Sequence, residues 1–384
     1  MRAFARGCTF GNRPAIGGLA AIAAVLGCLA MAAAGPAGAS TSKPAAATSG
    51  TKSRGVLAGV SCLPTRWCMA VGSSNSTPTK AVAWLWKRDA WRQLANPPGG
   101  ELTGVSCPTR AFCMASGLRP FPPAAVLWNG TKWQAMTPPP MHVTTAPSCP
   151  SSRMCAVVNG TGFSGSGAIA ETWNGQTWKS WKDSSVCGGQ HSGCGAVDVS
   201  CASPTMCVMV GFRITSSGAL AKAAVWDGSD WDINDPPQAK TANTYPSAVS
   251  CKGTFCLVIG DDTSRKAYVA LFDATSGTWK NITSSAGLPW PHNRCGGACF
   301  RPDTLSCASS TKCMTAGLGG FFAWNGRAFR PARPLSAGRG SRLSRVSCVK
   351  TFCMAVGHRT VNGVRAPLAE LWNGTTWKIL RTAS

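Results

Sequence analysis

Short runs of apolar residues recur along most of this chain, and turn-forming residues separate them. In the stretch taken as an example, the runs are Leu102–Cys107, Phe112–Ser116, Ala124–Trp128 and Lys132–Met136. Apolar and polar positions do not alternate strictly within a run, which is typical of strands covered on both faces. No segment has an amphipathic helical stripe of useful length. The pattern therefore predicts an all-β fold with four short strands in each repeating unit.

The unit occurs seven times, and each copy contains a segment of the type Val-Ser-Cys, a short gap, then Cys-Met-Ala-Val-Gly, with substitutions at the apolar positions and at the final glycine of the third unit. The 329 residues from Val56 to the end give 47 residues per unit, between the lengths of WD-type and kelch-type propeller blades, roughly 40–45 and 50 residues. We predict a seven-bladed β-propeller of four-stranded antiparallel blades over residues 56–384. The seven units pair Cys62 with Cys68, Cys107 with Cys113, Cys149 with Cys155, Cys201 with Cys207, Cys251 with Cys256, Cys307 with Cys313 and Cys348 with Cys353.

Turns alternate between the two edges of a four-stranded meander. One edge, called here the cysteine rim, should carry the Cys–Cys turn between strands one and two and the Trp-Asn-Gly turn between strands three and four. The Asn-Gly pair predicts a two-residue hairpin turn with positive φ at both positions. The opposite edge, called the loop rim, should carry the connections from strand two to three and from blade to blade. Nearly all length variation falls there, and variable loops on a rigid scaffold are where binding usually occurs.

The cysteine count predicts disulfides. Eighteen of the 20 cysteines lie beyond the first 39 residues, an even number that suits an oxidising compartment. The seven repeat pairs and two further pairs, Cys187 with Cys194 and Cys295 with Cys299, account for nine bridges. The alternative for the two further pairs is zinc, since His191 and His292 lie beside them. We expect disulfides, no metal and no cofactor.

The N-terminal segment resembles a cleaved signal peptide over residues 1–39. Arg2, Arg6 and Arg13 precede an apolar stretch, Leu19 to Ala34, and small residues follow it. A lipoprotein with Cys28 acylated is the alternative. Residues 40–55 are rich in serine, threonine, alanine and lysine, and predict a flexible linker. The expected location is secreted or cell-surface, with no membrane span in the mature chain.

The charge balance favours acidic partners. The chain has 38 Lys and Arg residues against 14 Asp and Glu residues, and such a field steers polyanions. For an exported protein we expect an anionic cell-envelope glycopolymer or a surface protein as partner, bound by a monomer, and no nucleic acid in vivo. The alternative is that the charge only keeps the protein soluble.

Cations beside aromatic residues on the loop rim suit glycans that carry phosphate or carboxylate groups. The sequence thus predicts a non-enzymatic binding or adhesion protein, against the alternative of plain solvated loop charge. The predicted binding residues are Arg119, Phe121, Arg213, Lys222, Arg265, Lys266, Trp290, Arg294, Arg359 and Arg365.

Acidic residues are sparse, and we predict no catalytic residue. Asp227 replaces the asparagine of the turn in the fourth unit, which favours a structural role. Asp198 is unusual because small residues such as Gly59 hold its position in other units, although Arg345 holds it in the seventh, and it could lie near the central channel. The alternative function is a polysaccharide hydrolase or lyase at the channel mouth, which would use Asp198, Asp261 or Asp262 with a histidine of the rim.

The repeat resembles kelch-like and related seven-bladed propellers from Val56 to about Leu380. The shared elements are a strand ending in glycine, Met69 to Gly72, an aromatic residue ending strand three, Trp86, and a tryptophan soon after it, Trp91. The unit has one glycine where kelch has two, and it adds the cysteines. It is most similar to the cysteine-stapled propellers of exported bacterial proteins. The resemblance implies the architecture and carries no activity.

Overall fold

The structure is a computed structural model that describes residues 55–117, 125–140, 145–158, 168–182, 194–238, 243–262, 267–288, 302–317, 320–332 and 341–382. These residues form seven four-stranded antiparallel sheets, each built from four consecutive strands. The seven-bladed propeller predicted from the repeat is therefore confirmed. The predicted signal peptide and nearly all of the linker lie outside the described residues, and no described helix is long and apolar enough to cross a bilayer.

The first four blades contain the following strands. Blade 1 has β1 (Gly55–Leu63), β2 (Trp67–Ser74), β3 (Ala81–Lys87) and β4 (Ala90–Gln93); blade 2 has β5 (Gly104–Thr109), β6 (Phe112–Ser116), β7 (Ala125–Trp128) and β8 (Trp133–Ala135); blade 3 has β9 (Ser148–Ser151), β10 (Met154–Val158), β11 (Ala168–Trp173) and β12 (Trp178–Lys182); blade 4 has β13 (Cys194–Ser203), β14 (Met206–Thr215), β15 (Gly218–Trp226) and β16 (Trp231–Ile233).

The last three blades follow the same order. Blade 5 has β17 (Thr244–Lys252), β18 (Phe255–Asp262), β19 (Ala267–Asp273), β20 (Thr278–Asn281) and a short helix α1 (Thr283–Ala286); blade 6 has β21 (Pro302–Ser309), β22 (Lys312–Gly317), β23 (Gly320–Trp324) and β24 (Phe329–Pro331); blade 7 has β25 (Arg342–Cys348), β26 (Cys353–Val361), β27 (Val364–Trp372) and β28 (Trp377–Leu380).

The first strands of neighbouring blades contact one another in sequence order, and β25 contacts β1 to close the ring. Blades 1 and 7 therefore meet without sharing a strand. The described apolar side chains form seven clusters, one at each junction between neighbouring blades. Alternate residues of β2 illustrate this, since Ala70 packs towards blade 7 and Val71 towards blade 2. Burial of both faces explains why the strands lack polar alternation.

The glycine late in the second strand is a packing requirement. A Cβ atom at Gly72 would lie 1.9 Å from the carbonyl oxygen of Val56 in β1. Any larger residue would force the first two strands apart, which explains why the Cys-Met-Ala-Val-Gly pattern ends on glycine. The equivalent glycines of blades 2, 4, 5 and 7 are similarly crowded by a carbonyl in or just before the first strand, namely Gly117, Gly211, Gly260 and Gly357.

The predicted disulfides of all seven repeat pairs are confirmed. Each bridge joins the first two strands of its blade at the cysteine rim, with Cα atoms 3.9–4.1 Å apart. Bridges of this number suit an oxidising, extracellular environment. In chain order they join Cys62 to Cys68, Cys107 to Cys113, Cys149 to Cys155, Cys201 to Cys207, Cys251 to Cys256, Cys307 to Cys313 and Cys348 to Cys353.

The two further predicted pairs fall mostly outside the described residues. Cys194 is disulfide-bonded, which favours a bridge over zinc at that position. Its predicted partner Cys187 lies outside the described residues, and so do Cys295 and Cys299. The pairing of these four cysteines therefore stays a prediction.

A ring of hydrogen bonds runs through the seven junctions beside the disulfides. In each blade the hydroxyl oxygen of the serine that precedes the first cysteine accepts a hydrogen bond from the amide of the first cysteine in the next blade. The distances are 2.8–3.0 Å, and the bond from Cys62 N to Ser347 Oγ closes the ring. In this ring, called here the serine ring, the serine of the Val-Ser-Cys pattern joins neighbouring blades. The sequence did not reveal this role.

The prediction for the Trp-Asn-Gly turn is wrong in its geometry. Trp128 pairs directly with Trp133, so four residues lie between the strands instead of two. Of the four residues in this turn, only Gly130 has a positive φ, at 95°. Asn129 instead accepts hydrogen bonds from the amides of Thr131 and Lys132 through its side-chain oxygen. The asparagine is thus selected as a side-chain acceptor that closes the turn.

Candidate functional site

The described part of the loop rim is most strongly cationic on blade 7. Strand β25 begins there with Arg342, which pairs directly with His358 in β26. Strands β26 and β27 are joined by Asn362 and Gly363, with φ values of 51° and 75°, a two-residue turn of the type that favours Asn-Gly. The turn brings Arg359 and Arg365 to the same rim as Arg342. All three arginine side chains are exposed.

Arg342, Arg359 and Arg365 are called here the arginine cluster. The pKa of His358 indicates the electrostatic potential beside it. Partial burial lowers the pKa of His358, and the positive charges of Arg365 and Arg342 lower it further. Its Nδ1 atom is buried and has no hydrogen-bond partner in the described part of the chain. The contributions of Arg365 and Arg342 to this lowered pKa indicate that the electrostatic field around His358 is positive.

Acidic residues do little to compensate this charge within blade 7. Residues 341–382 contain seven Lys and Arg residues and one acidic residue, Glu370, whose side chain is buried inside the blade. Blade 4 has the opposite balance. Residues 194–238 contain Arg213 and Lys222 as their cations and five aspartates. The positive charge of the chain is thus unevenly distributed around the ring.

The ten predicted binding residues are separated by the structure. Arg359 and Arg365 lie together in the arginine cluster. Arg213 and Lys222 lie on blade 4, where Lys222 forms an ion pair with Asp235 and Asp235 also accepts a hydrogen bond from Ala223 N at 3.1 Å. The charge of Lys222 is therefore largely compensated within the blade. The remaining six residues lie outside the described residues, namely Arg119, Phe121, Arg265, Lys266, Trp290 and Arg294.

A second candidate site is the central channel, which holds a cavity of about 140 Å³. The residue three positions before the first cysteine lines it in six of the described blades, including Asp198, Thr304 and Arg345. Just before these three positions, and before Gly59, the register of the first strand shifts by a β-bulge. Bulges re-aim side chains and are common near functional sites. Asp198 and Arg345, which break the repeat, therefore both face the channel.

The side chain of Asp198 is partly buried and remains partly exposed to water. Its Oδ2 accepts a hydrogen bond from Val249 N of blade 5 at 2.9 Å. Burial raises the pKa of Asp198 to about 6, against the lowering effects of the Arg345 charge and of the Val249 and Val199 amides. A perturbed carboxyl in a cavity marks a candidate functional group.

The residues named for the alternative hydrolase or lyase do not meet in this cavity. Asp261 and Asp262 end β18, and neither they nor His358 line the channel. Asp198 is the only carboxylate among the described lining residues, whereas glycosidases face two carboxylates across the bond that they cleave. In the described part of the chain, no three His, Cys, Asp or Glu side chains are grouped to hold a metal ion.

Asp227 takes the place of the turn asparagine, as predicted. Its Oδ1 accepts hydrogen bonds from the amides of Ser229 and Asp230 and from the Ser229 hydroxyl. These bonds lower the pKa of Asp227 to about 2.

Comparison with known proteins gives no family model that matches the chain and no match among curated proteins. Among solved structures, the β-propeller domain of the Trilobed protease from Pyrococcus furiosus, described as having an open velcro topology, is similar with a TM-score of 0.55 and 9% identity. The likeness covers 85% of this chain and 98% of that one.

The acylaminoacyl peptidase of Pyrococcus horikoshii gives a TM-score of 0.52 at 8% identity, over 85% of this chain and 52% of the peptidase. This chain thus matches about half the length of that enzyme. At such low identity these likenesses show that the chain has the β-propeller fold, and they show the fold alone.

Proposed function

We propose that this chain is an exported, non-enzymatic binding module that recognises an anionic cell-envelope glycopolymer through its loop rim. The observation that carries the proposal is the arginine cluster of blade 7. Exposed Arg342, Arg359 and Arg365 lie there, the charges of Arg365 and Arg342 help to lower the pKa of His358, and the single acidic residue of the blade is buried. The kelch-like kinship and the bacterial, exported origin inferred from the repeat belong to the same proposal.

The chemistry of the cluster favours phosphate or carboxylate groups as ligands. Arginine presents planar donors that bind such groups through paired hydrogen bonds. Neighbouring guanidinium groups repel one another, and an anion between them relieves that repulsion. A polymer with anions at regular intervals could bind several arginines of blade 7 and the predicted rim cations of other blades at once.

The seven disulfides and the serine ring also support the proposal, because they stabilise the scaffold. A binding module outside the cell works without chaperones and in the presence of proteases. Short cross-links in every described blade keep the cysteine rim closed, and each constrains the unfolded chain. The loop rim can then vary in sequence without loss of the scaffold.

The proposal is tested by binding to matched charged and neutral glycans. Mature protein is passed over immobilised poly(glycerol phosphate), polygalacturonate, dextran sulfate and plain dextran in a series of salt concentrations. We expect retention on charged polymers, none on dextran, and steep loss of retention as the Debye length shrinks from about 10 Å at 0.1 M salt to about 3 Å at 1 M. Equal retention on dextran and dextran sulfate, or retention that salt does not change, would contradict the proposal.

A further inference from the structure

The channel cavity carries both charge signs on its wall. Asp198 projects from β13 of blade 4 and Arg345 from β25 of blade 7, and both occupy the position three residues before the first cysteine. Blades 1 to 3 have Gly59, Gly104 and Ala146 at this position. Among the described lining residues at this position, only those of blades 4, 6 and 7 have polar side chains. The lining of the channel is therefore asymmetric.

The small residues of blades 1 and 2 are fixed by packing. A Cβ atom at Gly59 would lie 2.8 Å from the Cα atom of Gly104, and one at Gly104 would lie 2.3 Å from the Cβ atom of Ala146. The innermost strands of these blades thus touch through their backbones. Among the six residues of this position that line the cavity, only Asp198, Thr304 and Arg345 have polar side chains.

Hydroxyl groups add hydrogen-bond donors to the same wall. Ser148, Ser200 and Ser250 line the cavity, and each oxygen already accepts an amide of the next blade at 2.8–2.9 Å. A hydroxyl that accepts such a bond still has its proton to donate. Among the described residues none accepts these three protons, so a ligand in the cavity can do so.

The two charges select the kind of ligand. A simple anion would be attracted by Arg345 and repelled by Asp198, and a simple cation would meet the reverse. A metal ion needs several ligands, and Asp198 is the only carboxylate on the described wall. A molecule with one carboxylate and one ammonium group satisfies both side chains. Arginine has five donors and a carboxylate about four acceptor sites, so existing contacts do not exhaust either group.

We infer that the central channel is a binding site for a small zwitterion of amino-acid type, whose carboxylate lies against Arg345 and whose ammonium group lies against Asp198. The volume limits the ligand. A cavity of about 150 Å³ holds benzene, so the 140 Å³ here suits about six non-hydrogen atoms, the size of glycine or alanine. This site is separate from the arginine cluster and does not depend on the proposed polymer binding.

The test is titration calorimetry of the mature protein with glycine, acetate and methylammonium, with leucine as an oversized zwitterion. Glycine should bind at one site per chain, at least about tenfold more tightly than the other three, because only glycine pairs with both charges and fits. No binding of glycine at millimolar concentration, or equal binding of acetate, would overturn the inference.

Two variants locate the site. Asp198→Asn keeps the acceptor for Val249 N and Arg345→Gln keeps a planar amide, and each should weaken glycine binding at least about tenfold. Arg327→Gln, at an exposed arginine in the turn between β23 and β24, is the matched control and should leave glycine binding unchanged. Thermal unfolding of each variant confirms that it is folded, and Arg345→Lys, which retains the charge, should restore part of the affinity. Glycine binding that persists in both channel variants would place it elsewhere and refute the inference.

Discussion

Replacing Asp198 by asparagine removes a largely buried charge and keeps the shape of the side chain. Burial raises the pKa of Asp198 to about 6 in the folded state, from an ordinary value of 3.8. At 1.36 kcal/mol for each tenfold change in proton affinity, the ionised carboxylate costs the folded state about 3 kcal/mol. The net attraction of Arg345 is already included in that pKa. The cost is therefore an effect of the whole channel environment.

The sign of the pH dependence follows from proton linkage. Between about pH 4 and pH 6 the folded state holds more protons on Asp198 than the unfolded chain does. The free energy of unfolding must then fall as pH rises through this window, and the full cost applies at pH 7. Below about pH 4 the carboxyl is protonated in both states, and the cost disappears.

The Asp198→Asn variant should lack this window. Its side-chain oxygen can still accept from Val249 N, while the second oxygen, near the Val199 amide, is lost at about 1 kcal/mol. We expect the variant to be more stable than the native protein by about 2 kcal/mol at pH 7.5, and less stable by about 1 kcal/mol at pH 3.5.

The assay is guanidinium unfolding followed by tryptophan fluorescence at several pH values, with the disulfides intact and linear extrapolation to water. Arg345→Gln serves as the companion variant, because loss of its charge should raise the pKa of Asp198 and widen the window. If the difference between native protein and Asp198→Asn is the same at both ends of the pH range, the reasoning about the channel is refuted.

Further predictions concern the scaffold. Ser61→Ala leaves the Cys107 amide without its acceptor and should lower the free energy of unfolding by about 1–2 kcal/mol. The exposed control Ser216→Ala should stay within about 0.5 kcal/mol of the native value. Equal effects of the two substitutions would contradict the stabilising role of the serine ring. Replacing Cys62 and Cys68 together by alanine should cost at least about 2 kcal/mol from loop entropy, and no loss in denaturant unfolding would show that the bridge is dispensable. Asp227→Asn should keep its turn and remove a loss of stability that the native protein shows as pH falls from about 4 to about 2, so unchanged acid unfolding curves would argue against that role.

The fold was largely predictable because the repeat is strict. Seven copies of one unit, each with four apolar runs, leave few architectures open, and the meander assigns turns to rims. The prediction of a two-residue Asn-Gly turn was wrong because the sequence does not show where the pairing of the third and fourth strands ends. Once Trp128 pairs with Trp133, four residues must form the turn, and Asn129 serves as an acceptor. The serine ring was missed because each bond joins residues 42 to 57 positions apart, or 285 at the closure, and only the recurrence of serine beside cysteine signals it.

The candidate sites were predictable in part. Arg359 and Arg365 were named from their place on the loop rim, whereas the neutralising contact of Lys222 with Asp235 depends on strand register that the sequence does not fix. Asp198 and Arg345 were detectable because each replaces a small residue at one position of the repeat. What the sequence could not supply was their meeting in one channel, since two whole blades lie between them along the chain.

The central claim is that the arginine cluster of blade 7 binds an anionic polymer. Its most direct test compares a triple Arg→Gln variant at Arg342, Arg359 and Arg365 with a matched triple Arg→Gln variant at Arg88, Arg153 and Arg327, three exposed arginines on the cysteine rim. Both variants lose the same net charge. At about 0.5 kcal/mol for each exposed ion pair, the blade 7 variant should bind immobilised poly(glycerol phosphate) roughly tenfold more weakly than native protein, while the cysteine-rim variant should bind nearly as well. Equal weakening in both variants, or none in either, would contradict the account.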